Sequence, residues 1–157
     1  RRCLNIESLS VSPSSIKGIH KFTITCFSNR PMMERVVKQI EKRIDVLKSF
    51  LYTDDEIVYQ EVALYKVPTP QLLDDKNVEL IIRRHNARIL EITREYVVLE
   101  KTGHSDETEA LFEELRKYDI RQFVRSGRVA VTKDTHEYLN MYLDEQERRK
   151  SHQCPAL

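Results

Sequence analysis

Residues 89–100 read Ile89-Leu90-Glu91-Ile92-Thr93-Arg94-Glu95-Tyr96-Val97-Val98-Leu99-Glu100. Two short runs rich in β-branched and aromatic residues flank the polar pair Arg94-Glu95, the pattern of two strands joined by a tight turn. Upstream, Val78, Ile81, Ile82 and His85 recur at helical spacing and predict a helix over 72–85 with one apolar face. Before it, Val58 to Val67 reads as a strand that Pro68-Thr69-Pro70 ends. Downstream, Gly103-His104-Ser105 leads into a helix with Leu111, Leu115 and Tyr118 inward and Ser105 as its N-cap. Ile120 to Thr132 predicts one long strand, or two interrupted at Ser126-Gly127. The order is β-α-β-β-α-β, the split βαβ unit of ferredoxin-like folds.

The first half carries a shorter version of the same order. Leu9 and Val11 alternate with Ser8, Ser10 and Ser12, and Phe22, Ile24 and Cys26 alternate with Lys21, Thr23 and Thr25, as in two half-buried strands. Leu4 and Ile6 stand in the opposite phase, which predicts a bulge or the strand start near Glu7. Residues 13–18, Pro13-Ser14-Ser15-Ile16-Lys17-Gly18, form a turn-rich loop between them. Pro31 suits the first turn of a helix whose stripe is Met33, Val36, Val37, Ile40 and Ile44. Val46 to Tyr52 reads as a strand, and Thr53-Asp54-Asp55-Glu56 as an acidic break at a domain boundary. The two halves align at an offset of 74, with Phe22 on Tyr96, Ile24 on Val98, Val37 on Leu111 and Asp45 on Asp119.

The expected fold is therefore α+β, with two ferredoxin-like units. The first covers residues 1–54 as β-β-α-β, lacking its opening strand and helix; the second covers 55–145; residues 146–157 form a charged tail. A last helix opens at Asp134, with Glu137 three residues on as a capping box, and runs through Tyr138, Leu139, Tyr142 and Leu143.

Composition narrows the chemistry. The 157 residues hold 26 Lys and Arg against 25 Asp and Glu, a net charge of +1, which argues against a nucleic-acid or anionic-membrane binder. Gly18, Gly103 and Gly127 are the three glycines, and no two stand at the spacing of a dinucleotide or phosphate-loop fingerprint. The five histidines show no metal-ligand spacing. Asp54-Asp55-Glu56 and Asp74-Asp75 are acidic runs of the kind that attract hard cations, yet they lack the rest of a ligand set and read as a linker and a helix start. No nucleophile stands with a convincing base. RNA-recognition modules share this topology, but at the stacking positions the chain has Ile19 and Lys21 in place of aromatics. Cys3, Cys26 and Cys154 form no C-x-x-C pair and read as free thiols of a reducing, cytoplasmic protein. No apolar run has the length of a membrane span.

The segment Leu4-Asn5-Ile6-Glu7-Ser8-Leu9-Ser10-Val11-Ser12-Pro13 closely resembles the small, regulatory subunits of acetolactate synthase (acetohydroxyacid synthase). So do Gly18-Ile19-His20-Lys21-Phe22-Thr23-Ile24, Gln39-Ile40-Glu41-Lys42, Gln60 to Val67, Thr102-Gly103-His104, and Phe123-Val124-Arg125-Ser126-Gly127-Arg128. The resemblance spans residues 3–145. It implies an N-terminal ACT domain, a C-terminal ferredoxin-like domain and no catalytic site. It implies a homodimer paired through its ACT domains, and a large catalytic subunit as partner that holds thiamine diphosphate, Mg and FAD. The function implied is activation of that partner and feedback inhibition by valine in branched-chain amino acid (valine, leucine, isoleucine) biosynthesis. A stand-alone ACT-type amino-acid sensor is the alternative.

In such subunits the effector contacts come from the loop after the first strand of one protomer and from the start of the second strand of the other. The second set matches Asn5, with Ile6 lining an apolar pocket for a branched side chain. A side-chain amide offers one donor face and one acceptor, which suits a zwitterion. Family members begin with a strand and an Asn/Gly loop that this chain starts after, so the chain by itself is expected to bind valine poorly or not at all.

Overall fold

The computed structural model describes residues 4–73, 77–135 and 138–153. It divides into two compact units, residues 1–27 with 59–130, and residues 28–58 with 131–157. This grouping differs from the division at residue 54 read from the sequence. The difference arises because the first hairpin rests on the turn after residue 125, far along the chain.

In the first unit, the central strand is β3 (Ile57–Pro68), whose alternation puts Glu61, Ala63, Tyr65 and Val67 on the buried face. β5 (Tyr96–Gly103) lies antiparallel on one side of it and β6 (Gln122–Arg125) on the other, while β4 (Arg88–Ile92) pairs with β5 at the edge. β7 (Val129–Thr132) also pairs with β3. The Arg94-Glu95 turn is closed by the Thr93 N–H, which donates to the Tyr96 carbonyl at 2.8 Å. α2 (Thr69–Leu73), α3 (Val78–Arg84) and α4 (Ser105–Leu115) bring Leu72, Val78, Ile81, Leu111 and Leu115 onto Tyr65, Val67, Val97 and Leu99. Burying each such aliphatic side chain contributes roughly 1.5–3 kcal/mol. The element order read from residues 58–132 is present here, and of the two readings after Ile120 the pair of strands interrupted at Ser126-Gly127 is the one that forms.

Two local expectations are corrected. The helix placed over 72–85 is two helices, because Asn77 begins a new one; Asp74-Asp75 lie outside the described residues. The N-cap of α4 is His104, not Ser105: its backbone N–H donates to the Glu107 carboxylate at 2.8 Å, and Ser105 is the first helical residue. α4 then tightens through a 3-10 turn, residues 116–118, and ends at Asp119, whose φ of 59° is left-handed.

β1 (Ile6–Pro13) and β2 (His20–Cys26) form a separate antiparallel hairpin in the same unit. The register shifts between Ile6 and Ser8, so the bulge falls at Glu7 as the phase change predicts. Leu9 faces Ile24 and Val11 faces Phe22. Burial is the reverse of the expectation. The Ser8, Ser10, Thr23 and Thr25 face is half-buried, while Leu9 and Phe22 are 55% and 62% exposed. Alternation tells which residues share a face, not which face meets the protein.

In the second unit, α1 (Arg30–Ile40) starts at Asn29, whose Oδ1 accepts the Met32 N–H at 3.0 Å, with Pro31 in the first turn. The helix ends at Ile40, four residues before the stripe does, and Ile44 is fully exposed. The chain then turns twice: the Arg43 N–H reaches Ile40 and the Val46 N–H reaches Arg43. No strand forms over residues 46–52. The Glu41 carboxylate accepts the Ser49 N–H at 3.2 Å and pairs with Lys48 at 2.9 Å, which folds this segment back toward the end of α1 and away from any sheet edge. A short apolar run reads alike for a strand and for a packed loop. Phe50 instead lies against Tyr52 and Tyr138 of α5 (Tyr138–Gln153). The Glu137 half of the expected capping box lies outside the described residues.

α1 and α4 are both 11 residues long, and their N-caps stand 75 positions apart. The spacing of the two helices is thus 75, against the 74 read from the sequence. At 75, Ile24 corresponds to Leu99 and Val36 to Leu111, both completely buried; at 74, Ile24 falls on Val98, which faces the other side of the sheet.

Candidate functional site

Asn5 lies just before β1 and is exposed; Ile6 opens the strand, is 55% exposed and faces Cys26 across the hairpin. The two are adjacent to the Glu7 bulge. Burial and then the Glu7 carboxylate push the Cys26 thiol above its ordinary pKa, so this free cysteine stays protonated near neutrality. Cys3 and Cys154 lie outside the described residues.

The far side of the hairpin meets the turn between β6 and β7. A Cβ added at Gly127 would stand 3.2 Å from the Ser10 Cβ and 3.3 Å from the Leu9 backbone, so the hairpin backbone rests directly on this glycine. Lys21 Nζ donates to the Ala130 carbonyl at 2.8 Å from the neighbouring strand. The turn itself is fastened to β3. The Ser126 N–H donates to the Val62 carbonyl at 2.8 Å, and the Val62 N–H donates to Ser126 Oγ at 2.9 Å.

Beneath the turn lies a charged group that pattern reading missed. Glu61 is 6% exposed; its carboxylate oxygens stand 3.4 Å from Arg125 Nε and 3.6 Å from Arg128 Nε. The Arg128 guanidinium lies over the Tyr59 ring at 4.2 Å, and the His104 ring meets Tyr59 edge-on at 4.5 Å. The one available signal was a Glu at a core-facing position of β3, two residues before Ala63, which demands a cationic partner.

The remaining candidates are occupied locally. The Glu56 carboxylate accepts from the Thr53 N–H at 2.7 Å and from its hydroxyl at 3.0 Å, and these bonds hold its pKa below the usual range. His85 ends the apolar face of α3 as expected, with Nε2 3.1 Å from the Glu114 carboxylate. Among the described residues, no three His, Cys, Asp or Glu side chains are grouped to hold a metal, and no helix is long and apolar enough to cross a membrane.

Comparison with known proteins places this arrangement. The family model described as the small subunit of acetolactate synthase matches residues 60–134, the sheet of the first unit with α2 to α4. The chain is 34% identical over 130 residues to the acetolactate synthase small subunit of Aquifex aeolicus, covering 83% of this chain and 68% of that protein. It is 33% identical over 139 residues to the small subunit of Bacillus subtilis, covering 87% and 80%. The fold resembles the crystal structure of the acetolactate synthase small subunit from Thermotoga maritima, with a TM-score of 0.75 at 24% identity over 85% of this chain and 83% of that one. At this identity and coverage, the chain belongs to the family of acetolactate synthase small subunits.

Proposed function

We propose that this chain is the regulatory subunit of an acetolactate synthase. It binds the large, thiamine-diphosphate-dependent catalytic subunit, raises its activity and carries feedback inhibition by valine. The observation that carries the proposal is similarity to proteins named as small subunits along 83% and 87% of the chain. In this reading the large subunit supplies thiamine diphosphate, Mg and FAD, and the pair works in the cytoplasm on branched-chain amino acid synthesis.

Residues 1–54 are read as part of an ACT domain, 55–145 as a second ferredoxin-like domain and 146–157 as a tail. The 75-residue spacing of equal helices supports the duplication, and a sheet in which β3 is central and β4 is at the edge supports the ferredoxin-like reading of the second domain. Pairing of two copies through their ACT domains belongs to the same reading. The exposed Leu9, Val11, Phe22 and Ile24 are consistent with a surface that an assembly covers. Asn5 and Ile6 form one side of the effector site, the amide binding the zwitterion and Ile6 touching its branched side chain.

For valine to inhibit, it must bind best to the arrangement that activates least; a coupling of about 1–3 kcal/mol is typical. The test is to titrate the chain into purified large subunit and measure acetolactate formation. The expected result is a saturable rise in rate, with co-elution of the two proteins. No rise and no co-elution would rule the proposal out. Asn5→Ala is expected to remove residual inhibition at high valine without lowering the stimulated rate.

A further inference from the structure

We infer that the Ser126-Gly127 turn is a joint that couples the position of the β1–β2 hairpin to the β3 sheet, so that a shift of the hairpin end bearing Asn5 is felt at β3. The regulatory importance of this joint rests on the function proposed above; its mechanics do not.

Three contacts make the case. On the hairpin side, a Cβ at Gly127 would stand 3.2 Å from the Ser10 Cβ and 3.3 Å from the Leu9 backbone, so that any side chain there makes the hairpin give by a few tenths of an ångström, and Lys21 adds a hydrogen bond to Ala130. On the sheet side, Ser126 exchanges two hydrogen bonds with Val62. The adjoining residues Arg125 and Arg128 are held by the buried Glu61. The turn is therefore fixed to β3 while the hairpin bears on its apex. The hairpin is hydrogen-bonded as a two-stranded sheet of its own and shares no backbone ladder with the β3 sheet, so a tilt of the hairpin breaks no hydrogen bond of that sheet. Packed contacts of this kind shift between discrete arrangements rather than deforming smoothly. A difference in hairpin tilt then changes the load on Ser126 and, through it, on the Val62 peptide.

At this glycine the constraint is one of space rather than of backbone conformation. Gly18 is the opposite case, with a φ of +84° and nothing within 4 Å of an added Cβ. Only at Gly127 does a larger side chain press the hairpin outward.

The experiment uses the whole chain with Gly127→Val, and Lys21→Met as a milder variant. Native-state hydrogen exchange is measured at hairpin amides, at the Val62 amide and at β4–β5 amides as an internal control. The inference expects exchange about tenfold faster or more in the hairpin and at Val62, with β4–β5 unchanged, as for a local opening. A hairpin that exchanges as in the parent chain overturns it. So does a loosened hairpin with an unchanged Val62 amide, because the turn would then be a support without transmission. If Gly127→Val fails to fold, the same comparison in Lys21→Met decides. With the large subunit, Gly127→Val is expected to bind but to change the stimulated rate by about fivefold or more, the lower range of allosteric couplings. Altered exchange with parental stimulation would also overturn the inference. A parent chain that neither binds nor stimulates the large subunit would remove the proposed function, leaving the joint to be judged by exchange alone.

Discussion

The Tyr65 hydroxyl donates to the Thr108 carbonyl at 2.6 Å, joining β3 to α4 across 43 residues of sequence, with both residues completely buried. Burial, more than the nearby Glu109 carboxylate, pushes the phenol pKa far above its ordinary value, so the hydroxyl keeps its proton as donor throughout the stable pH range. Tyr65→Phe is expected to cost about 1–2 kcal/mol, the worth of one buried hydrogen bond, while the ring packing against Phe123 survives. A urea unfolding curve with an unchanged midpoint would show the bond to be dispensable.

Glu61 carries a heavier penalty. Removing it by Glu61→Ala leaves Arg128, whose side chain is 11% exposed, without its buried counter-charge. The expected destabilisation is about 3 kcal/mol or more. Arg125→Ala, at a side chain that is 32% exposed, is expected to cost less. Chemical denaturation of both variants checks the order, and an equal or reversed ranking contradicts this account.

Acid sensitivity should trace partly to Glu114. The His85 ring 3.1 Å away and, after it, the Arg84 guanidinium hold its pKa below the usual value of 4.5. A carboxylate with a lowered folded-state pKa contributes stability that is fully present above 4.5 and lost as pH falls through the lowered value. Glu100, lowered chiefly by the Thr102 hydroxyl, and Glu41, lowered chiefly by Lys48, act in the same direction. The melting temperature is therefore expected to fall below pH 4.5, and less steeply in Glu114→Gln. Identical slopes in the two proteins would discount the pair.

Gly18→Ala isolates backbone strain, since an added methyl meets nothing within 4 Å while φ is +84°. The expected cost is about 1–2 kcal/mol, with Gly18→Asn milder because Asn tolerates left-handed backbone. Thermal melts of the two variants test this, and equal stability of Ala and Gly at this site would refute it.

Much of the fold is legible in short-range pattern. The Arg94-Glu95 turn, the inward Leu111, Leu115 and Tyr118, and the bulge at Glu7 all follow from period and phase, because these depend on neighbours a few residues away. The segment 46–52 is not legible in this way, because its apolar content is the same whether it finds a sheet edge or folds back on Glu41. The Glu61 group was invisible because Arg125 and Arg128 lie more than sixty residues from it in sequence.

The sequence by itself determined the order of strands and helices, the resemblance to acetolactate synthase small subunits and Asn5 as the residue that resemblance assigns to the effector. Tertiary structure alone decided that the serine and threonine face of the first hairpin turns toward the protein and its apolar face outward. It alone placed Leu9 and Ser10 on Gly127 and made the spacing between the two helices 75. The physical reason is that alternation defines two faces without ranking them, and the ranking comes from contacts between segments far apart along the chain.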